Sequence, residues 1–338
     1  MRLRFTKQCS ASLGAMAAMV ALLAPIRLFG QPGLPVAAKP ATSTSKSWTP
    51  PRTADGQPDL EGVWTNSTLT PLERPAEFAG KPFLTEQEAA DYVNKLLHQV
   101  NSDRRDGDAQ VDVGRSYNEF WRDRGNGLVA DRRTSLISDP PDGRIPPLTA
   151  EAEKRAEETR TWMQEHSTDG PEGRSLAERC LSWTTAGPPM LPGPYNNDFQ
   201  IFQAPGYVVI LNEMIHDART IPLDGRPHVS QDIREWLGDS RGHWEGNTLV
   251  VDTANFTGEY SFRGSDAHLH VIERFTRVSP DVIQYEFTVD DPTAFTRSWT
   301  ARIPFNKTSE RVYEYACHEG NYAMTDILAG ARAAEKKK

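Results

Sequence analysis

Six of the eight histidines of this chain fall between His216 and His318, among acids and arginines. His216, His243 and His318 each have a carboxylate within two residues: Asp217, Glu245 and Glu319 respectively. A carboxylate on one imidazole nitrogen fixes the tautomer and tunes the ring toward neutrality, which general acid–base catalysis requires. Arg219, Arg241 and Arg297 are suited to stabilise an oxyanion or hold a carboxylate or phenolate. Tyr315 and Tyr322 add proton donors, and Trp244 an aromatic wall. The expected catalytic set is therefore His216, Asp217, Arg219, Arg241, His243, His318 and Glu319. Trp244, Arg297, Tyr315 and Tyr322 are the expected substrate contacts. We expect His216, Arg241, His243 and His318 to converge on one cavity.

Other chemistry is less well supplied. His268-x-His270 puts two imidazoles on one side of a strand near Asp266, the only candidate metal pair. His-x-x-x-His, His-Glu-x-x-His and Cys-x-x-Cys spacings are absent. No cofactor is expected: the chain lacks a dinucleotide fingerprint and a phosphate-cradling loop. Gly238-Asp239-Ser240 has the look of an esterase opening, but no Gly-x-Ser-x-Gly elbow accompanies it. A carrier is the competing reading, with Trp236, Trp244, Tyr285, Phe287, Trp299 and Tyr313 lining a barrel pocket for a small ligand.

The elements that must position these residues are mostly strands. Segments 199–203, 207–215, 248–253, 269–278, 282–289, 296–304 and 311–317 are rich in β-branched and aromatic residues, with turn residues between them. Such spacing without intervening helices predicts an antiparallel meander, as a barrel or strongly curved sheet. Leu269, Val271, Glu273 and Phe275 share one face, and His268, His270, Ile272 and Arg274 the other. Glu273, set among apolar residues, needs a partner, and Arg297 is the expected one. Thr85 ahead of Glu86 and Glu88 predicts a helix start, and 149–166 reads as a solvent-facing helix. The fold class is mainly β with an α-helical N-terminal elaboration: one domain over 59–330 with a helical insert at about 85–168.

Arg2, Arg4 and Lys7 precede an apolar stretch at 11–25, too short to span a bilayer comfortably. Residues 1–30 thus read as a signal peptide and 31–58 as a flexible leader, placing the protein in the periplasm or outside the cell. Removing 1–30 takes away four basic residues and no acid, so the formal charge falls from −8 to −12. That balance disfavours nucleic acid and anionic membrane as partners and favours a small organic molecule. Cys180 and Cys317 remain as a disulfide candidate in an oxidising compartment.

Three stretches resemble a widespread group of secreted bacterial proteins of unknown function: Gly238-Asp239-Ser240-Arg241-Gly242-His243-Trp244-Glu245-Gly246, Glu273-Arg274-Phe275-Thr276-Arg277-Val278, and Tyr313-Glu314-Tyr315-Ala316-Cys317-His318-Glu319-Gly320-Asn321-Tyr322. Pro58-Asp59-Leu60-Glu61-Gly62-Val63-Trp64 belongs to the same pattern. The resemblance implies secretion and brings no activity with it. Gly62-x-Trp64 ahead of a meander is also similar to the start of lipocalin-like barrels, which implies a barrel. On the residues alone, the function expected is a cofactor-independent lyase, isomerase or hydrolase, with a ligand-binding protein as the alternative.

Overall fold

The computed structural model describes residues 48–114, 118–183, 185–259 and 262–337. The signal segment 1–30 and most of the leader 31–58 lie outside them. In chain order the strands are β1 (Gly62–Thr65), β2 (Ile137–Asp139), β3 (Asp198–Ala204), β4 (Tyr207–Asn212), β5 (Ala218–Pro222), β6 (Asp239–Glu245), β7 (Thr248–Ala254), β8 (His270–Ser279), β9 (Val282–Asp290) and β10 (Trp299–Lys307). The α-helices are α1 (Glu86–Val100), α2 (Ala109–Gly114), α3 (Ala150–Glu165) and α4 (Ala323–Glu335).

The strands form one antiparallel sheet in the order β5-β4-β3-β1-β10-β9-β8-β7-β6, with β2 added beside β10, and it curls into a nearly closed barrel. Alternation decides which side chains enter it. Val271, Glu273 and Phe275 of β8, Ile283, Tyr285 and Phe287 of β9, and Trp299, Ala301 and Ile303 of β10 are all fully buried. Tyr285 stacks on Phe305 at 4.6 Å, and Phe287 meets Trp299 edge-on at 5.6 Å. Side chains fill the barrel, so the interior pocket expected for a carrier is a packed core instead.

Following alternate directions along the path, β5 and β6 run the same way where the ends meet. Among the described residues no ladder joins them. Side chains close this seam: a Cβ on Gly242 of β6 would lie 2.6 Å from Leu223 and 2.8 Å from Ile221. Only glycine allows so close an approach.

Glu273 finds its partner across the interior. Arg219 of β5 donates to both of its carboxylate oxygens, to Oε1 at 3.2 Å, and Tyr285 donates to Oε1 at 2.8 Å. The Met190 N–H in turn donates to the Tyr285 oxygen at 3.0 Å. The expected Glu273–Arg297 pair is not formed. Arg297 precedes β10 in a turn, half exposed, and pairs with Asp139. The alternation of 295–303 carried it past the strand's true start at Trp299.

Both expected helices are present with their N-caps. Thr85 accepts from the Glu88 N–H while Glu88 accepts from that of Thr85, a reciprocal capping box. Thr149 caps α3 through the Ala152 N–H. The segment 311–317, expected as a strand, is irregular; no strand of the sheet pairs with it.

Candidate active site

Chain direction places the starts of β3, β5, β6 and β8 and the ends of β1, β4 and β7 on one rim. Beside β3 and β4, on the outer side of this rim, lies an open cleft of about 910 Å³. Its walls include Phe120, Trp121, Tyr195, Tyr313 and Tyr315, and its acids are Asp123, Glu213 and Glu314. Arg122, also in the lining, lies 5.5 Å from the centre of the Tyr195 ring.

Glu213 follows β4 and is held on three sides. Its backbone N–H donates to the Asp198 carbonyl at 3.0 Å. Its carboxylate accepts from the Asn196 amide and, at 3.3 Å, from the Tyr313 N–H. Burial raises its pKa, against those two hydrogen bonds, with Asp123 adding repulsion. Behind it Asp198 is pushed up to about 6, first by burial; Glu213, Asp123 and Glu310 add to this and a Thr65 hydroxyl opposes it. Asp123 receives the Asn197 side-chain amide at 2.7 Å.

The backbone here is strained. Asn196, Ile215 and His216 have φ of 54°, 63° and 56°. In a β-branched residue such as Ile215 that conformation costs on the order of 1–3 kcal/mol and persists only where its surroundings impose it. The kink turns the chain between Glu213, on the cleft, and Arg219, in the core. A disulfide between Cys180 and Cys317 (Cα–Cα 5.8 Å) fixes the opposite wall, and Asn321 donates to the Cys180 sulfur at 3.6 Å.

Of the expected site residues, Tyr315 lines this cleft. His318, Glu319 and Tyr322 follow the same wall segment and are exposed. His216 is exposed, three residues after Glu213, and its charge acts on that carboxylate. Asp217 accepts the Asn212 N–H through its backbone carbonyl. Arg219, Arg241, His243, Trp244 and Arg297 are not in the lining. Arg219 is committed to Glu273. Trp244 points inward and packs against the core. Arg241 and His243 project outward from β6, where His243 lies 3.3 Å from Glu245. The expected convergence of His216, Arg241, His243 and His318 is therefore not formed, because residues of even spacing on β6 share its outer face. Ser240, on the inner face, is buried and shares a hydrogen bond with the Thr253 hydroxyl at 3.0 Å.

His268 and His270 part company as well. His268 takes Asp266 at 2.7 Å, whereas His270 takes both oxygens of Asp252 at 3.0 Å. Among the described residues no group of three or more His, Cys, Asp or Glu is arranged to hold a metal ion.

The long motifs turn out to hold the frame. Arg277 donates to the Asp59 carbonyl at 3.0 Å and to its carboxylate at 3.1 Å, and sits 5.5 Å from the Trp64 ring centre, which joins two of them. Sequence reasoning missed Asp123, Asp198 and Glu213, since no motif spans them. The available signal was polar residues at strand ends: Tyr195-Asn196-Asn197-Asp198 and Asn212-Glu213. No model of a known protein family matches this chain, and no curated protein matches it.

Proposed function

We propose that this protein is an acid–base enzyme, a lyase, isomerase or hydrolase, acting in the rim cleft on a small organic molecule. One observation carries the reading: Glu213, a carboxyl with a raised pKa, faces an aromatic-walled cleft with a second raised carboxyl, Asp198, behind it. Carboxyls so placed are suited to take and return protons. Glu213 is the catalytic residue, and Asp198 is a positioning residue that acts through it. The aromatic walls favour a substrate with a flat or apolar part, and three acids against one arginine favour a neutral or basic one. Export, expected from residues 1–30, is part of the same proposal.

The test is a screen of the mature protein against neutral, basic and acidic small metabolites, read by mass spectrometry. Glu213→Gln is expected to lower turnover by about 10²–10⁴-fold. Asp198→Asn is expected to move the limb of the pH profile near pH 6. Undiminished turnover in Glu213→Gln overturns the proposal. The carrier reading is favoured by the exposure of Phe120 and Trp121 at the cleft mouth. It predicts ligand binding that survives both substitutions and no product.

A further inference from the structure

Because β5 and β6 run the same way, their connection must return the length of the barrel. It does so as a strap, residues 223–238, laid over the outer face of β6 and β7. Arg241 Nε donates to the Pro227 carbonyl at 3.1 Å, the Val229 N–H donates to Asp239 at 3.0 Å, and Asn255 donates to the Val229 carbonyl at 3.0 Å. Further along, Arg234 reaches the Ala267 carbonyl at 2.7 Å.

At the centre of the strap His228 lies between two carboxylates. Its Nδ1 is 2.8 Å from Asp239 of β6 and its Nε2 is 2.9 Å from Asp252 of β7. A carboxylate only accepts, so both contacts are hydrogen bonds only while both ring nitrogens carry protons, which is the imidazolium. A neutral ring has one N–H and turns a lone pair toward the other carboxylate. We propose that His228 is a proton-operated clasp, which fastens the strap to β6 and β7 while its ring is protonated and loosens it when the ring is neutral.

The surrounding charges fit this role. Arg241 holds Asp239 at 2.6 Å, and His270 of β8 holds Asp252 from the other side, with Asp290 of β9 acting on His270 in turn. The hydrogen bond to Asp252 raises His270, and the bond from His270 leads the causes that lower Asp252. A raised histidine stabilises the fold below its free value of about 6.5 and loses that contribution as pH rises through the folded value. A lowered aspartate stabilises above its free value of about 3.9 and fails in stronger acid. The clasp is therefore complete only while Asp239 and Asp252 are ionised and both nitrogens of the His228 ring carry protons.

Hydrogen–deuterium exchange of the mature protein at pH 5.5 and 8.5, with labelling times scaled for intrinsic exchange, tests this. Peptides within 224–238 are expected to be more protected at the lower pH, because the second hydrogen bond of the ring exists only in the imidazolium. Peptides of β9 serve as the folding reference. His228→Gln, which keeps one donor and cannot ionise, is expected to abolish the difference, and His270→Gln to keep most of it. Equal protection at both pH values overturns the clasp. So does a pH difference that survives in His228→Gln while the β9 peptides remain protected.

Discussion

Replacing Glu273 by leucine leaves the Arg219 guanidinium in the barrel interior without its counter-charge. Glu273 is 0% and Arg219 6% exposed, so water does not reach either to compensate. Breaking one side of such a pair costs about 3–5 kcal/mol. For a unit of about 290 residues, with an unfolding entropy of about 2.1 cal/mol/K per residue, this lowers the midpoint by about 5–8 °C. Arg219→Met strands the carboxylate and is expected to cost a similar amount. The double variant strands neither charge. What remains is the Tyr285 hydroxyl without its acceptor, about 1–3 kcal/mol. Calorimetry of the wild type, both single variants and the double variant at pH 7 gives the cycle. Simple additivity of the two losses would refute the reasoning, as would a single loss below about 1 kcal/mol.

Thiol labelling of unfolded, unreduced mature protein should leave Cys180 and Cys317 unmodified. Replacing both with serine should cost up to about 5 kcal/mol for a loop of this length, read from urea midpoints. Asp198 carries a folded pKa near 6, above its free value, so its contribution is present in acid and lost as pH rises through 6. Asp198→Asn should therefore match wild-type stability at pH 4 and exceed it by about 1–2 kcal/mol at pH 8, allowing for partial exposure. Midpoints that move equally at both pH values would contradict the burial argument.

The barrel was legible where strands alternate cleanly. In β8 one face is largely apolar and the other largely polar, so the inward set, including Glu273, follows from spacing alone. β6 was read as a motif because its outward residues, Asp239, Arg241, His243 and Glu245, are all charged or titratable, while inward Ser240 and Gly242 are too small to look like a core. Segment 311–317 misled in the opposite way. Its tyrosines suggest a strand, but the Cys180 bond and Glu213 hold it as a wall instead. The cleft carboxyls were invisible because their property comes from burial. Asp198 and Glu213 are ordinary acids until the rim brings them together and water is thinned around them.

The unladdered seam bears on how this chain behaves in a crowd of its own copies. Strands β5 and β6 are the two ends of the sheet, and a sheet end can template the strand of another molecule. On β6, four of seven side chains are charged or titratable and face outward, and the strap covers part of the same surface. A foreign strand added there would have to strip water from Arg241, His243 and Glu245 and displace the strap. The motif of β6 thus guards one end of the sheet, where the barrel could otherwise grow by recruiting a neighbour. Variants neutralised at these positions should fold and yet aggregate.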